Sequence, residues 1–422
     1  MLRTSIIKKN TEKIISSLKK KNFNGQKIIK EIISADKTRI EIQKELNDLQ
    51  NKMNSLSKEI GICFSEKNIE KAEKLKSETL EIKSLIQKKT DDQKNILKKI
   101  NELLITIPNT PNKIVPIGNT EKDNEIIKTI GKKPHLEKIN LPHWEIAKKY
   151  DLINFEKGNV ITGSGFPLYK NKGAKLQRSL INFFLDCNIK NGYTEYLPPH
   201  LVNENSAFGT GNFPDKEGQM YHIEKDNLYL IPTAEVPLTN IFRNEIIESQ
   251  KLPKKLTAYT PCFRREAGSY GKNVRGLNRL HQFDKVEIVK IVHPEKSHDH
   301  LEEMIEHVSS ILEKLELPYR LVKLCGGDLS FSSSLTYDFE VFSAAQNKWL
   351  EVSSVSNFES FQATRSNIKF RENAKLNFCH TLNGSALALP RIMAAILENN
   401  QTESGIKIPE VLSKYTGFKI IS

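Results

Sequence analysis

The sequence predicts an α+β fold in which an antiparallel helical coiled-coil arm precedes a domain built on an antiparallel sheet flanked by helices. Three observations predict it. Residues 36–105 contain one glycine and no proline, which favours nearly continuous helix. Apolar residues there alternate steps of four and three, the heptad spacing of a coiled coil. Beyond residue 108, hairpins outnumber strand–helix–strand units, which favours an antiparallel sheet. Since 422 residues exceed one compact core, two domains are expected, 1–108 and 109–422.

The predicted arm is a helical hairpin over about 36–104. Its first seam comprises Ile42, Leu46, Leu49, Met53, Leu56 and Ile60, and its second comprises Ala72, Leu75, Thr79, Ile82, Ile86, Lys89, Gln93, Ile96, Ile100 and Leu103. Gly61 is expected to end the first helix, and Ser65 or Asn68 to cap the second. Two seams of similar length joined by a short turn predict helices that fold back on each other, an arm of roughly 45 Å.

The positive charge is concentrated in this arm. Residues 1–105 carry 24 Lys/Arg and 15 Asp/Glu, a surplus of nine, and the remaining 40 and 36 leave a surplus of four. A basic, folded segment favours a polyanion such as nucleic acid as its partner. A lysine-rich genome, or a coiled coil that serves as a dimerisation or spacer element, would give the same pattern.

Composition favours a reducing compartment. The five cysteines are far apart, odd in number and without a CxxC pair, which argues against a disulfide framework and against a zinc knuckle. The N-terminal stretch MLRTSIIKKNTEKII lacks a signal-peptide core, and no run of about 18 apolar residues occurs. A cytoplasmic protein is therefore expected.

Three prolines, at 108, 111 and 116, break the helical pattern and mark the domain boundary. A helix is then predicted over 173–192, followed by a strand over 193–202 that Pro198 and Pro199 stop. Segments 256–263 and 280–288 predict a long-looped antiparallel hairpin. Further strands are predicted at 219–223, 228–232, 337–344 and 348–357, and further helices at 298–317 and 388–401.

Four separated clusters carry side chains suited to chemistry. They are PTAE (232–235), FRRE with RLHQFDKVE (263–287), EVSSVSN (351–357) and TLNGSALALPR (381–391). No GxxxxGK[ST] loop is present, so phosphate recognition by a glycine loop is not predicted. Each cluster alone is consistent with an ordinary strand or helix end. In this order, behind a helical arm, they resemble the class II seryl-tRNA synthetases over essentially the whole chain.

The resemblance implies an activity and its partners. It implies a serine–tRNA ligase that uses ATP and Mg²⁺ to form seryl-adenylate and transfers serine to the 3′ end of tRNA(Ser), with tRNA(Sec) as a further candidate. The segment 173–199 matches the first class-defining motif, which implies a homodimer with Pro198 or Pro199 at its interface. The arm would hold the tRNA, loop 267–278 would touch its acceptor stem, and loop 208–219 would close over the substrates.

The resemblance also implies nucleotide-binding residues. Arg264 matches the arginine that binds the α-phosphate, and Glu266 the carboxylate that accepts from the adenine amino group, roles that suit a guanidinium fork and a carboxylate. Phe283 matches the ring stacked on adenine, and Arg391 the arginine on its opposite face near the γ-phosphate. The candidate ATP-binding set is Arg264, Arg265, Glu266, Phe283, Glu351, Val352, Ser353, Ser354 and Arg391. Within it, Arg265 is expected to face away and to be a bystander.

Metal, catalytic and serine-binding residues are implied in the same way. Glu351 and Ser354 match the metal ligands, and hard oxygen donors suit Mg²⁺. The candidate catalytic residues are Arg264, Glu351 and Arg391. The candidate serine-binding residues are Thr233, Ala234, Glu235, Arg264, Glu287, Asn383 and Ser385. Without the resemblance, Thr233 and Ser385 would be ordinary polar residues of a half-buried sheet.

Two other classes of function are alternatives to a synthetase. The first is an RNA-binding protein of synthetase fold without catalysis, which the intact set Arg264, Glu266, Glu351 and Arg391 argues against. The second is a ligase that loads an amino acid onto a carrier protein, which gives no reason for a long basic arm.

Overall fold

The computed structural model describes residues 1–136, 140–215, 217–266 and 275–422. Their contacts divide them into two compact units. The N-terminal unit consists of Met1–Lys19 and Phe23–Pro108, and the sheet unit consists of Lys20–Asn22 and Asn109–Ser422. Within the described ranges, helices that combine the length and apolarity needed to cross a bilayer are not found.

Helices make up the N-terminal unit. They are α1 (Thr4–Lys9), α2 (Thr11–Lys19), α3 (Gln26–Ser65) and α4 (Ile69–Leu104). The predicted antiparallel pairing of two long helices is confirmed by α3 and α4. With 40 and 36 residues, they measure about 60 and 54 Å at about 1.5 Å per residue. The sequence-based length was too short because α3 begins well before the first heptad seam.

The prediction that Gly61 ends the first helix was wrong. Helix α3 continues through Gly61 to Ser65, since a glycine inside a helix costs only about 1 kcal/mol. Continuing the helix adds Cys63, which is 3% exposed, to the buried seam. The chain reverses after Ser65, where Lys67 adopts a left-handed φ of 59°.

The second helix is capped by one of the two predicted residues. The Asn68 side chain accepts a hydrogen bond from the Lys71 backbone N–H at 3.2 Å, which satisfies a free donor of the first turn. The Ser65 hydroxyl instead donates to the Ile62 carbonyl within α3.

Polar residues interrupt the apolar seam where the sequence indicated. Lys89 Nζ lies 2.5 Å from Glu45 Oε2, and Gln93 Nε2 donates to Gln43 Oε1 at 2.5 Å. Below this polar layer the hairpin is anchored by a core that includes α1 and α2. Its fully buried members are Ile7, Leu18, Ile29, Ile32 and Ile107.

The sheet unit contains strands in chain order and helices between them. The strands are β1 (Glu125–Ile130), β2 (Ile153–Asn154), β3 (Leu168–Tyr169), β4 (Thr194–Glu195), β5 (Leu201–Asn203), β6 (His222–Ile223), β7 (Leu228–Leu230), β8 (Ile246–Glu248), β9 (Lys254–Phe263), β10 (Gln282–Val292), β11 (Tyr319–Lys323), β12 (Leu335–Ser343), β13 (Lys348–Glu359), β14 (Lys369–Glu372), β15 (Lys375–Phe378), β16 (His380–Ala388), β17 (Gln401–Thr402), β18 (Gly405–Lys407) and β19 (Ile420–Ile421). The helices are α5 (His143–Lys149), α6 (Phe155–Ile161), α7 (Asn171–Lys190), α8 (Glu204–Thr210), α9 (Glu235–Asn240), α10 (Ser297–Lys314), α11 (Phe361–Ser366), α12 (Leu389–Asn399) and α13 (Glu410–Thr416).

The main sheet has the order β1-β11-β12-β13-β16-β10-β9-β4 across the described residues. Its neighbours pair antiparallel, apart from the parallel pair β4 and β9. Helices α7, α10 and α12 bury apolar faces in the core that includes one side of this sheet, with Phe184, Met304 and Ile396 fully buried. The predicted α+β architecture, an antiparallel sheet flanked by helices, is confirmed.

Some strands differ from the sequence-based expectation. The strand predicted over 193–202 is two short strands, β4 and β5, with Pro198 and Pro199 between them, because proline cannot donate to a ladder. Within the main sheet, strands β1, β11 and β16 were not predicted. The last is central although its middle reads Asn383-Gly384-Ser385, since pairing on both sides compensates for weak intrinsic strand propensity.

Candidate active site

Most candidate residues lie on four adjacent strands or directly after the end of one of them. Arg264 follows the end of β9, Phe283 and Glu287 lie on β10, Asn383 and Ser385 on β16, and the 351–354 segment on β13. The order β13-β16-β10-β9 sets these strands side by side. Residues separated by more than a hundred positions therefore meet on one part of the sheet.

A buried polar cluster surrounds Glu287, whose side chain is 0% exposed. Its Oε2 lies 2.5 Å from Lys285 Nζ and accepts from Thr233 Oγ1 at 3.1 Å. Its Oε1 accepts from Asn383 Nδ2 at 3.3 Å. Lys285 Nζ also donates to Thr233 Oγ1 at 2.9 Å. The cluster presents one buried cation, one carboxylate and two neutral polar groups.

A second carboxylate adjoins this cluster. Gln362 Nε2 donates to Glu235 Oε1 at 2.6 Å, and the Glu235 backbone N–H donates to Thr233 Oγ1 at 3.2 Å. Burial, together with the nearby charge of Glu287, raises the pKa of Glu235 to about 7. Burial also raises the pKa of Glu287, against the opposing effect of Lys285. The two carboxylates therefore differ in their surroundings, since Lys285 contacts only Glu287.

Small residues flank Glu287 in the sheet. Its cross-strand partners are Ala258 on β9 and Ser385 on β16. Ala234, which precedes α9, is completely buried. The Ser385 carbonyl accepts from the Ser353 hydroxyl at 2.6 Å. The strand positions on either side of Glu287 therefore carry short side chains.

Arg264 connects this cluster to an aromatic ring. Its Nε donates to the Pro232 carbonyl at 3.2 Å, next to Thr233. Its guanidinium carbon lies 5.3 Å from the centre of the Phe283 ring, within the range of a cation–π contact. The Arg264 backbone N–H donates to the His281 carbonyl at 2.9 Å, which closes the end of the β9–β10 hairpin.

Arg265 has different surroundings from its neighbour. Its Nε donates to the Met220 carbonyl at 3.2 Å, and its guanidinium lies 4.7 Å from the centre of the Tyr221 ring. Glu266 follows with a left-handed φ of 47°, and its Oε2 pairs with Arg279 Nε at 2.6 Å.

Two loops with expected roles fall partly outside the described residues. Of the loop 267–278, residues 267–274 lie outside them, and of 208–219, residue 216 does. The described end of the first loop is held by Arg391, whose Nε donates to the Asn278 carbonyl at 3.2 Å.

A β-bulge shapes the segment that carries Glu351 and Ser354. In β12, Asp338 pairs with Ser354, Phe339 with Ser353, and Glu340 with Glu351, so Val352 is the extra residue. Residues three apart on a regular strand face opposite sides. Because the bulge changes this alternation, the Glu351 carboxylate and the Ser354 hydroxyl share one face. Val352 and Ser353 are each 1% exposed.

Arg391 lies against this segment. One of its terminal nitrogens, Nη1, donates to the Glu351 carbonyl at 2.7 Å and is 3.6 Å from Glu351 Oε2. Arg391 belongs to the first turn of α12, and the start of this helix therefore places the Arg391 guanidinium next to β13. The structure therefore brings Glu351 and Arg391 together.

The candidate metal ligands are few. In the described part of the chain, three or more His, Cys, Asp or Glu side chains do not gather into a metal-binding group. Glu351 and Ser354 would thus supply two hard oxygens, and phosphate and water oxygens the remainder, an arrangement that Mg²⁺ accepts. The shared face created by the bulge fits such a pair.

Sequence reasoning missed three polar residues at this site. Lys285 is spaced two residues from both Phe283 and Glu287, so strand alternation could have placed it on their face. Asp338 lies opposite Ser354, and burial together with Glu351 raises its pKa well above the usual range. Gln362, which binds Glu235, gave no comparable signal, because it reaches the site from α11.

The chain was compared with known proteins. The model of the seryl-tRNA synthetase N-terminal domain matches residues 1–111, and that of the class II tRNA synthetase core domain (G, H, P, S and T) matches 220–400. A serine–tRNA ligase of Salinibacter ruber is 46% identical over 99% of this chain and 98% of the relative. A seryl-tRNA synthetase from Pyrococcus horikoshii, solved in complex with ATP, is 35% identical with a TM-score of 0.94, covering 100% and 99% of the two chains. A cytoplasmic serine–tRNA ligase of Naegleria fowleri, solved with AMP, is 26% identical with a TM-score of 0.87, covering 98% and 96%.

Proposed function

Because the chain belongs to the class II seryl-tRNA synthetase family and ligates serine to tRNA with ATP, we propose which of its residues carry each step. The buried cluster around Glu287 is the observation that carries the proposal. Two members of the cluster, Lys285 and Glu287, lie two and four residues after Phe283 on β10. Arg264 lies next to the Phe283 ring and donates to the Pro232 carbonyl beside the cluster. A polar pocket for a small amino acid thus borders a stacking ring and a cation for a nucleotide.

ATP occupies the side of the site near Phe283. The ring stacks on adenine, Arg264 binds the α-phosphate, and Arg391 covers the opposite adenine face near the γ-phosphate. Glu266 uses one oxygen for Arg279 and offers the other to the adenine amino group. Backbone groups of the Val352–Ser353 segment complete the nucleotide site, since both side chains are buried.

Glu351 and Ser354, which the bulge of β13 turns to one face, would hold Mg²⁺. When bound, the metal neutralises charge on the phosphates. Glu351 also contacts Arg391, so the carboxylate orients the arginine that faces the same phosphates.

Serine binds beside Glu287, with its ammonium and hydroxyl groups directed to Glu287, Thr233 and Ser385. Alanine is rejected because the polar groups that bind the hydroxyl would remain unpaired. Threonine, which has one more methyl group than serine, is excluded sterically, a harder discrimination than the rejection of alanine. Asn383 orients Glu287 through Oε1, and Glu235 adds negative charge at the amino end.

Activation requires no general base. The serine carboxylate forms a bond to the α-phosphorus while the bond to the β-phosphate oxygen breaks, and pyrophosphate leaves with that electron pair. Arg264 and Arg391 stabilise the charge that develops. The ribose 3′-hydroxyl of tRNA then attacks the seryl carbonyl carbon, which releases AMP and a proton.

The N-terminal hairpin binds tRNA, with tRNA(Ser) as the substrate and tRNA(Sec) as a further candidate. The surplus of nine positive charges in residues 1–105 supports contact with phosphates. We also propose a homodimer through α7 and the Pro198–Pro199 segment, where Leu197 is 86% exposed. A cytoplasmic location is supported by five free cysteines.

Pyrophosphate exchange with each amino acid, followed by charging of bulk tRNA, tests these assignments. We expect exchange with serine, at least about a hundredfold above alanine or threonine, and charging of a serine-accepting tRNA. Exchange driven equally well by another amino acid would contradict the serine site.

A further inference from the structure

Lys285 is a buried lysine in the middle of the candidate site. It is 6% exposed and lies on β10 between Phe283 and Glu287, all three on the same face by strand alternation. A buried ammonium group is costly unless it is paired and hydrogen-bonded. Lys285 lies between the Phe283 ring, which we propose stacks on adenine, and the Glu287 carboxylate, which we propose binds serine. This position indicates a specific role.

The contacts of Lys285 form a closed triangle. Nζ lies 2.5 Å from Glu287 Oε2 and 2.9 Å from Thr233 Oγ1, and Thr233 Oγ1 donates to the same Oε2 at 3.1 Å. Among the described residues, the other oxygen, Oε1, accepts one side-chain hydrogen bond, the long one of 3.3 Å from Asn383. Because a carboxylate oxygen can accept two hydrogen bonds, Oε1 has capacity left for a substrate donor.

We propose that Lys285 is a positioning residue for serine recognition, which fixes Glu287 through Oε2 so that Oε1 faces the bound amino acid. This inference rests on the proposed assignment of Glu287 to serine. It gives Lys285 no direct contact with the substrate. An ammonium group that bound the reacting carboxylate or the α-phosphate itself would act independently of Glu287.

The charges around Glu287 show why the lysine is needed. Glu287 disfavours ionisation of the buried Glu235 carboxyl, and Arg264 and Lys285 are the cations that favour ionisation of both carboxyls. Of these two cations, Lys285 makes the direct ion pair. Without it, Glu287 would take up a proton or turn toward another donor, and its attraction for the serine ammonium would fall.

A double-mutant cycle tests this dependence. Serine-dependent pyrophosphate exchange is measured for wild type, Lys285→Met, Glu287→Gln and the double variant, with serine and ATP varied in turn. Each single change is expected to raise the serine KM about tenfold or more, with the ATP KM within about twofold of wild type. The double variant is expected to match Glu287→Gln, because the lysine no longer has the group on which it acts.

The chain offers a matched control on the same strand. Lys290 is 1% exposed, pairs with Glu303 at 2.6 Å, and lies on the opposite face of β10. Lys290→Met should lower thermal stability without raising the serine KM. If Lys285→Met does not fold, Lys285→Gln takes its place in the cycle, since it keeps a polar side chain of similar length.

Three results would overturn the inference. If the increases in serine KM of the two single variants multiply in the double variant, Lys285 acts separately from Glu287. An ATP KM that rises as much as the serine KM would place Lys285 at the nucleotide. A normal serine KM in Lys285→Met beside a raised one in Glu287→Gln would leave the proposed serine site intact and remove Lys285 from it. A normal serine KM in Glu287→Gln would instead contradict the proposed serine site itself.

Discussion

At the residue scale, two residues that are adjacent in the sequence can have different surroundings in the fold, and residues far apart in the sequence can share the same surroundings. Arg264 lies between the Pro232 carbonyl and the Phe283 ring, whereas Arg265 lies on Met220 and Tyr221. The motif predicts that the two arginines face different ways, but it predicts none of these partners. It does not predict Lys285 as the partner of Glu287, because a lysine within a strand pattern gives no sign of which acceptor it will find.

Arg264→Ala is expected to reduce serine-dependent pyrophosphate exchange at least about a hundredfold. Loss of a preorganised charge at the α-phosphate typically costs about 3 kcal/mol in the barrier, and about 1.4 kcal/mol is tenfold in rate. Arg371→Ala is the matched control, since Arg371 is a strand arginine in a surface pair with Glu248. Near wild-type exchange in Arg264→Ala would remove it from the candidate catalytic set.

The raised pKa of Glu235 predicts a pH dependence of serine binding. Its folded-state pKa of about 7 lies above the usual value because of burial and Glu287, with Gln362, Lys285 and Arg264 opposing. Below pH 7 the group is protonated and attracts the serine ammonium less, so the serine KM should fall as pH rises from about 6 to 8. Glu235→Gln should abolish that pH dependence, and an unchanged profile in this variant would assign it to another group.

At the element scale, strand pairing explains features that residue patterns cannot. Alternation within β10 could be read from the sequence, and so could the hairpin of β9 and β10 and helices α7, α10 and α12. The bulge at Val352 could not, because it arises from the register between β12 and β13. Helix α3 passed through Gly61 for a related reason, since packing of Cys63 outweighs the weak preference of one glycine.

The bulge predicts that Glu351 determines the metal requirement. Glu351→Ala removes one of two hard oxygens that share a face, so half-maximal exchange should need at least about tenfold more Mg²⁺. Mn²⁺ titration followed by electron paramagnetic resonance, in the presence of ATP, measures the same affinity without turnover. Glu372→Ala is the control, because it also removes a carboxylate but lies on β14, outside the site. Equal Mn²⁺ affinity in the two variants would contradict Glu351 as a ligand.

At the scale of the whole molecule, two units with different chemistry divide the reaction as we propose it. Low glycine and proline content and the heptad spacing predicted the helical hairpin, and the motifs predicted which segments would carry the proposed site. The sequence could not supply the central strand β16 or the core that anchors the hairpin on α1 and α2, since both depend on contacts between distant segments.

The structure indicates where the hairpin can be shortened. Replacing residues 44–92 by a short turn cuts it at the Gln43–Gln93 hydrogen bond and keeps the apolar core of the N-terminal unit, including Ile29, Ile32 and Ile107. The candidate ATP and serine residues are all unchanged, so serine-dependent exchange should stay within about twofold of wild type.

Charging by this shortened protein at sub-saturating tRNA is the most direct test of the proposed division. It should fall at least about tenfold, recover in part at high tRNA concentration, and depend less on salt than charging by the full chain, because phosphate contacts have been lost. Undiminished charging at low tRNA, with exchange intact, would contradict the proposal that the hairpin binds tRNA and leave it a spacer.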